Sequence, residues 1–193
     1  MGLFDQFLGK KKPKKEGEKS AYLPQKKAPT EIEFAHKFVE RGGKFIYSEN
    51  AESTAVYFNA ILEENGWSRN NVLSKNPVLS SFFALSEPSD DIRAQVIHCE
   101  YLIANKGTIL ICNRQIEDKK LTELPDHLII IAKTSDFKND VSEAMTAINQ
   151  KYKHNLPTNI TTLSPHDPTK EKDFLSYGGQ PKNLYLLVQE VHA

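Results

Sequence analysis

Residues 160–190, ITTLSPHDPTKEKDFLSYGGQPKNLYLLVQE, decide the fold. They read as a short strand at 160–162, a polar loop built on Ser-Pro and Asp-Pro turns, a glycine pair, and a closing apolar strand at 184–188. An α/β domain that ends this way puts such a loop at the carboxyl ends of its strands, where ligands bind. Working outward, residues 99–114, CEYLIANKGTILICNR, supply a second loop. Strand-like runs at 101–104 and 108–111 flank Asn105-Lys106-Gly107, a turn whose glycine can take a positive φ. The run 128–132, LIIIA, is apolar throughout, as expected of a central strand covered on both faces.

The rest of the chain alternates helix and strand. A helix is expected from Thr30 as cap, with Glu33 three residues on and Ile32, Ala35, Phe38 and Val39 as its buried stripe. Gly42-Gly43 ends it, and a short strand follows at 44–47. A second helix has Ser53 as cap, buries Ala55, Phe58, Ile61 and Leu62, and stops at Asn65-Gly66. Asn76-Pro77 opens a third, with Val78, Leu79, Phe82 and Phe83 as its apolar side. A strong helix begins near Phe137 and carries Val141, Ala144, Met145, Ile148 and Tyr152 at helical spacing. Residues 117–123 read as loop. The fold class expected is α/β, with a mixed, mostly parallel sheet flanked by helices.

The 193 residues suit one domain at 30–193 behind a basic tail and linker at 1–29. The charges balance, 25 basic against 25 acidic, so no nucleic-acid partner is expected. The tail holds eight lysines against Asp5, Glu16 and Glu18, and its Leu3, Phe4, Phe7 and Leu8 could share one side of a short helix. The tail is expected to be a solvated arm; its alternative is contact with a membrane surface or a partner protein. No apolar run is long enough for a transmembrane segment, and no signal peptide is seen. Two cysteines, Cys99 and Cys112, form no CxxC pair or disulfide framework, so a reducing, cytoplasmic setting is expected.

The motifs for dinucleotides, P-loop nucleotides, zincins and the hydrolase elbow are all missing, and neither cofactor nor metal is expected. His98 adjoins Cys99 and Glu100, but neighbouring strand residues point to opposite faces. Ser164, His166 and Asp167 lie too close together in a loop to converge as a triad, and turn chemistry explains them. Gly178-Gly179 either lets backbone amides approach an anion or forms the tight entry to the last strand.

Two segments together resemble a known family. Residues 104–111, ANKGTILI, followed by ITTLSPHDPTKEKDF and YGGQPKNLYLLVQE, are similar to the LUD domain family of the lactate utilisation protein C type. That family has I-A-[DE]-T-G-T, then I-T-G-P-S-[RK]-T-A-D-I-E, then G-x-H-G-P before a closing strand. Gly107-Thr108, Ile160, Thr161, Ser164, Gly179 and Pro181 fit. Asn105 stands at the acidic position and Lys106 at the threonine; Thr162-Leu163 replace Gly-Pro, and Gln180 is inserted.

The resemblance implies a fold like the NagB/RpiA/CoA-transferase group with the site between the two loops. It also implies a link to oxidation of L-lactate to pyruvate beside iron–sulfur partner subunits. Two cysteines are too few to hold such a cluster in this chain, which makes it an accessory or ligand-binding subunit. The ligand, a small organic acid or a phosphate, would meet Asn105, Lys106, Gly107 and Thr108 from one loop and Ser164, His166, Gly178 and Gly179 from the other. Lys106 would be the anion partner and His166 the proton carrier. The alternatives are a non-enzymatic interaction subunit docking through the tail, or a transferase or isomerase with Glu100 as its carboxylate.

Overall fold

Among the described residues, nine strands divide between two stacked sheets. The structure is a computed structural model that describes residues 28–165 and 182–191. In chain order the elements are α1 (Thr30–Glu40), β1 (Lys44–Ser48), α2 (Ala51–Asn65), β2 (Val72–Leu73), α3 (Pro77–Phe82), β3 (Ala94–His98), β4 (Tyr101–Ile103) and β5 (Thr108–Ile111). Then come α4 (Asn113–Ile116), β6 (His127–Lys133), β7 (Phe137–Lys138), α5 (Val141–Tyr152), β8 (Thr161–Leu163) and β9 (Asn183–Gln189). The first sheet has the order β1-β9-β6-β3-β2 and the second β7-β4-β5-β8. Every pairing in the first sheet is parallel. The hairpin β4–β5 and the β5–β8 pair are antiparallel, and β4–β7 is parallel.

The packing follows strand alternation. One face of the first sheet, with Val96, Ile129, Ile131 and Leu187, takes Phe58, Ile61 and Leu62 of α2 and Leu79 of α3. Its other face, with Ile97, Leu128, Ile130 and Leu186, meets Leu102, Ile109, Ile111 and Leu163 of the second sheet and Phe34 and Phe38 of α1. The second sheet then turns Ile103 and Leu110 outward onto Ala144 and Ile148 of α5. β6 is central, with Leu128, Ile129 and Ile130 fully buried, because both of its faces are covered.

Local chemistry explains most element boundaries and corrects several expectations. The expected α/β class holds, but the hairpin forms a second sheet rather than an edge of the first. Thr30 is not a cap: Pro29 precedes α1 and the Thr30 hydroxyl donates to Asn139 Oδ1 at 3.1 Å. α1 buries Phe34 with Phe38, their rings 5.3 Å apart, whereas Val39 faces solvent. α2 is capped by Asn50, whose Oδ1 accepts from Ser53 N, so Ser53 is the capped residue. Gly66 ends α2 at φ 66°. Asn76 caps α3 with Pro77 in its first turn, but only Leu79 and Phe83 of its apolar side are buried. Residues 137–138 are strand, and α5 begins at Val141 behind the Asp140 cap, which accepts from Glu143 N. Residues 117–123 are loop closed by a 3₁₀ turn at Leu121–Glu123.

Candidate functional site

The β4–β5 turn is held from several sides. Gly107 has φ 59°, and a Cβ added there would lie 2.6 Å from Lys37 Cβ and 2.8 Å from the backbone nitrogen of Phe38. Only glycine lets the turn seat this closely on α1. Ala104 and Asn105 N–H donate to Lys138 O and Asn139 O at 2.9 and 3.0 Å, and Lys106 and Gly107 N–H donate back within the turn at 3.3 Å. Lys37 Nζ donates to Asn105 O at 2.9 Å and pairs with Glu33 at 2.6 Å. The turn's amides are thus spent on the fold. What the turn offers a ligand is its side chains, and those of Asn105 and Lys106 are exposed.

Thr108 begins β5 and is buried, its hydroxyl without a hydrogen-bond partner among the described residues. The β5–β8 register pairs Ile109 with Leu163. Thr108 and Ser164 are the next positions along, so the fold brings them to one end of the second sheet. Ser164 is exposed, and Pro165 bridges to Lys182 at the entrance of β9. His166, Gly178 and Gly179 lie outside the described residues. Lys182 is 2 % exposed, and its ammonium donates to Leu124 O at 2.8 Å beside Asp126.

Glu100 occupies a different place, between β3 and the hairpin. It is 2 % exposed, which requires partners for its charge. It has them: Gln115 Nε2 at 2.7 Å, Lys151 Nζ at 2.9 Å, and Tyr152 Oη at 2.8 and 3.0 Å from its two oxygens. The Cys112 thiol lies 3.5 Å away. Burial pushes the Glu100 carboxyl up, but hydrogen bonds from Gln115, Lys151 and Tyr152 outweigh it and hold the group below the usual glutamate value. Lys151 loses to burial and gains more from Glu100 and Tyr152, so its ammonium is held above the ordinary lysine value. Burial pushes the Cys112 thiol up to about 11 and the Cys99 thiol well above its ordinary value, so both are protonated at neutral pH and neither is a ready nucleophile. This is a buried ion cluster, with Glu100 tying α4 and α5 to the hairpin.

The sequence reading named Glu100 but missed Lys151, Tyr152 and Gln115. They stand 51, 52 and 15 residues from it, and no local signal joins them. Tyr152 simply read as part of the apolar stripe of α5. No group of three or more His, Cys, Asp or Glu residues able to hold a metal occurs among the described residues.

The model of the LUD domain matches residues 84–188, a span that takes in the hairpin, the Glu100 cluster and both ends of the β8–β9 connection. A crystal structure described as a DUF162 family protein from Deinococcus radiodurans superposes with a TM-score of 0.59 at 19 % identity, covering 86 % of this chain and 99 % of that one. At that identity the likeness speaks for the fold. A search among curated proteins found no match. No helix among the described residues is long and apolar enough to cross a membrane.

Proposed function

Since the chain belongs to the LUD domain family, we propose that it is a ligand-binding accessory subunit in the utilisation of a small organic acid, L-lactate in the first instance. The reading includes kinship with the NagB/RpiA/CoA-transferase group, a cytoplasmic setting, and work beside iron–sulfur subunits that carry the electrons. The observation that carries it is the meeting of the two family segments: the β5–β8 register sets Thr108 beside Ser164, one residue beyond the Gly107 turn that displays Lys106. Lys106 supplies a mobile point charge for the carboxylate. The hydroxyls of Thr108 and Ser164 orient the acid, and the unpartnered Thr108 hydroxyl gains a partner when a ligand group or a water reaches it. His166, Gly178 and Gly179 complete the site in this proposal, with His166 as the proton carrier.

Glu100 fits a transferase or isomerase role poorly. A nucleophile or base needs access to its substrate and a pKa near the working pH; Glu100 is buried, hydrogen-bonded on both oxygens and held below the usual glutamate value. Isothermal titration of L-lactate into the full chain tests the proposal. Wild type should bind, and Lys106→Ala should weaken binding by about tenfold or more, the scale of a lost charge-assisted contact. Its melting temperature should not move, because Lys106 is exposed. An unchanged titration, or no heat with wild type, contradicts the assignment.

A further inference from the structure

Two apolar side chains of α3 stand uncovered among the described residues. Val78 is 72 % exposed and Phe82 42 % exposed; four residues apart, they share one side of the helix. The Phe82 ring lies 4.7 Å from that of Phe83, which lies 4.2 Å from that of Phe58, so the patch continues the core under α2 and α3. α3 starts just past the carboxyl end of β2, where Ser74 Oγ donates to Val96 O at 3.0 Å.

The amino-terminal residues join the body at the same edge of the first sheet. Gly43 N–H donates to Phe38 O at 2.9 Å, the Phe34 and Phe45 rings lie 6.4 Å apart, and Thr30 meets Asn139 beyond the carboxyl end of β6. α1 therefore runs back along β1 and brings Ala28 to the carboxyl end of the sheet. β1 and β2 are its two outer strands, four spacings or about 19 Å apart. Residues 9–27 can reach up to about 60 Å, ample for that crossing. The edge between carries Glu49 and Glu52 after β1, Glu190 after β9 and Asp136 after β6, against Lys133, Lys75 and His98. Glu49, Glu52 and Glu190 form no ion pair among the described residues.

We propose that the chain's own amino-terminal segment straps this edge. Leu3, Phe4, Phe7 and Leu8 seat on Val78 and Phe82, and the lysines of residues 10–27 cross over Glu49, Glu52 and Glu190. Charge favours the path: eight lysines against Asp5, Glu16 and Glu18 meet a surplus of carboxylates. Size favours a tethered occupant. A second copy needs on the order of 1,000 Å² of interface, and a six-residue helix with two exposed apolar side chains offers too little. A segment of the same chain docks on less, because the tether keeps its local concentration high. Anionic lipid would meet the carboxylates of the edge and be repelled. The strap covers the carboxyl ends of the parallel strands, the side on which open α/β sheets take ligands.

Paramagnetic relaxation in the full chain tests this. Cys99 and Cys112 are buried, so a nitroxide attaches only at the Gly9→Cys position. Broadening of the Val78, Ser81 and Phe82 amides is expected. Val78→Glu combined with Phe82→Glu should abolish it, and Glu49→Lys combined with Glu52→Lys should weaken it severalfold. These four side chains are exposed, and unmoved melting temperatures show that both variants fold. Absence of broadening on α3 overturns the proposal, as does full broadening in either double variant. Broadening that appears when unlabelled nitrogen-15 chain is mixed with nitroxide-carrying chain assigns the patch to a second copy and also overturns it.

Discussion

Gly107 holds the candidate site to the body of the molecule at the scale of a single residue. Its φ of 59° and the 2.6 Å approach to Lys37 Cβ leave no room for a side chain. Gly107→Ala combines the left-handed backbone penalty, roughly 1–2 kcal/mol, with an overlap against the α1 backbone that costs about 1–3 kcal/mol more. Chemical denaturation should show a loss of about 3 kcal/mol; a loss below about 1 kcal/mol, small against those penalties, would mean the turn is not fixed on α1. The need for glycine here was legible in the sequence, because Asn-Lys-Gly between two apolar runs asks for a positive φ. The contact with Lys37 was not, since nothing local links residues 37 and 107. The turn's side chains face water, but its amides are already paired within the fold.

At the scale of elements, Glu100 ties the hairpin to α4 through Gln115 and to α5 through Lys151 and Tyr152. α5 is held at its other end too, where Asn139 and Lys138 carbonyls accept from the hairpin turn. Replacing the carboxylate by an amide, Glu100→Gln, turns a donor toward donors and leaves the Lys151 charge half-exposed without its counter-ion. Breaking a buried pair costs about 3 kcal/mol, and solvent around Lys151 trims that figure. The pH dependence carries the sign. The folded carboxyl titrates below the unfolded one, so its contribution is complete above the unfolded value and fades as pH falls through the folded value. Wild type should lose stability on that acid limb and Glu100→Gln should lose less of it; parallel acid profiles would contradict the ionised cluster. Helices and strands came out of the sequence well wherever periodicity was strong, as in α2, β6 and β9. Of the misplaced boundaries, Thr30 falls inside a helix whose preceding Pro29 makes no side-chain cap, Ser53 where Asn50 supplies the cap, and Phe137 where a two-residue strand pairs with distant β4. Such pairing leaves no periodic trace.

At the scale of the whole molecule, the layers run from α2 and α3 to the parallel sheet, then to the second sheet beside α1, then to α5. The α/β class was legible because a run apolar from Leu128 to Ala132 and glycine-stopped helices admit few other architectures. The split into two sheets was not: a hairpin's apolar residues look the same whether they extend a sheet or stack on one. Of the candidate site, Thr108 and Ser164 were legible as parts of two family segments, and their adjacency is the work of the β5–β8 register. Nitrogen-15 chemical-shift mapping during an L-lactate titration tests the central claim most directly. The account predicts that the largest saturable shifts fall on Lys106, Gly107, Thr108 and Ser164 together. Shifts confined to Glu100, Lys151 and Tyr152, with the hairpin turn silent, would contradict it.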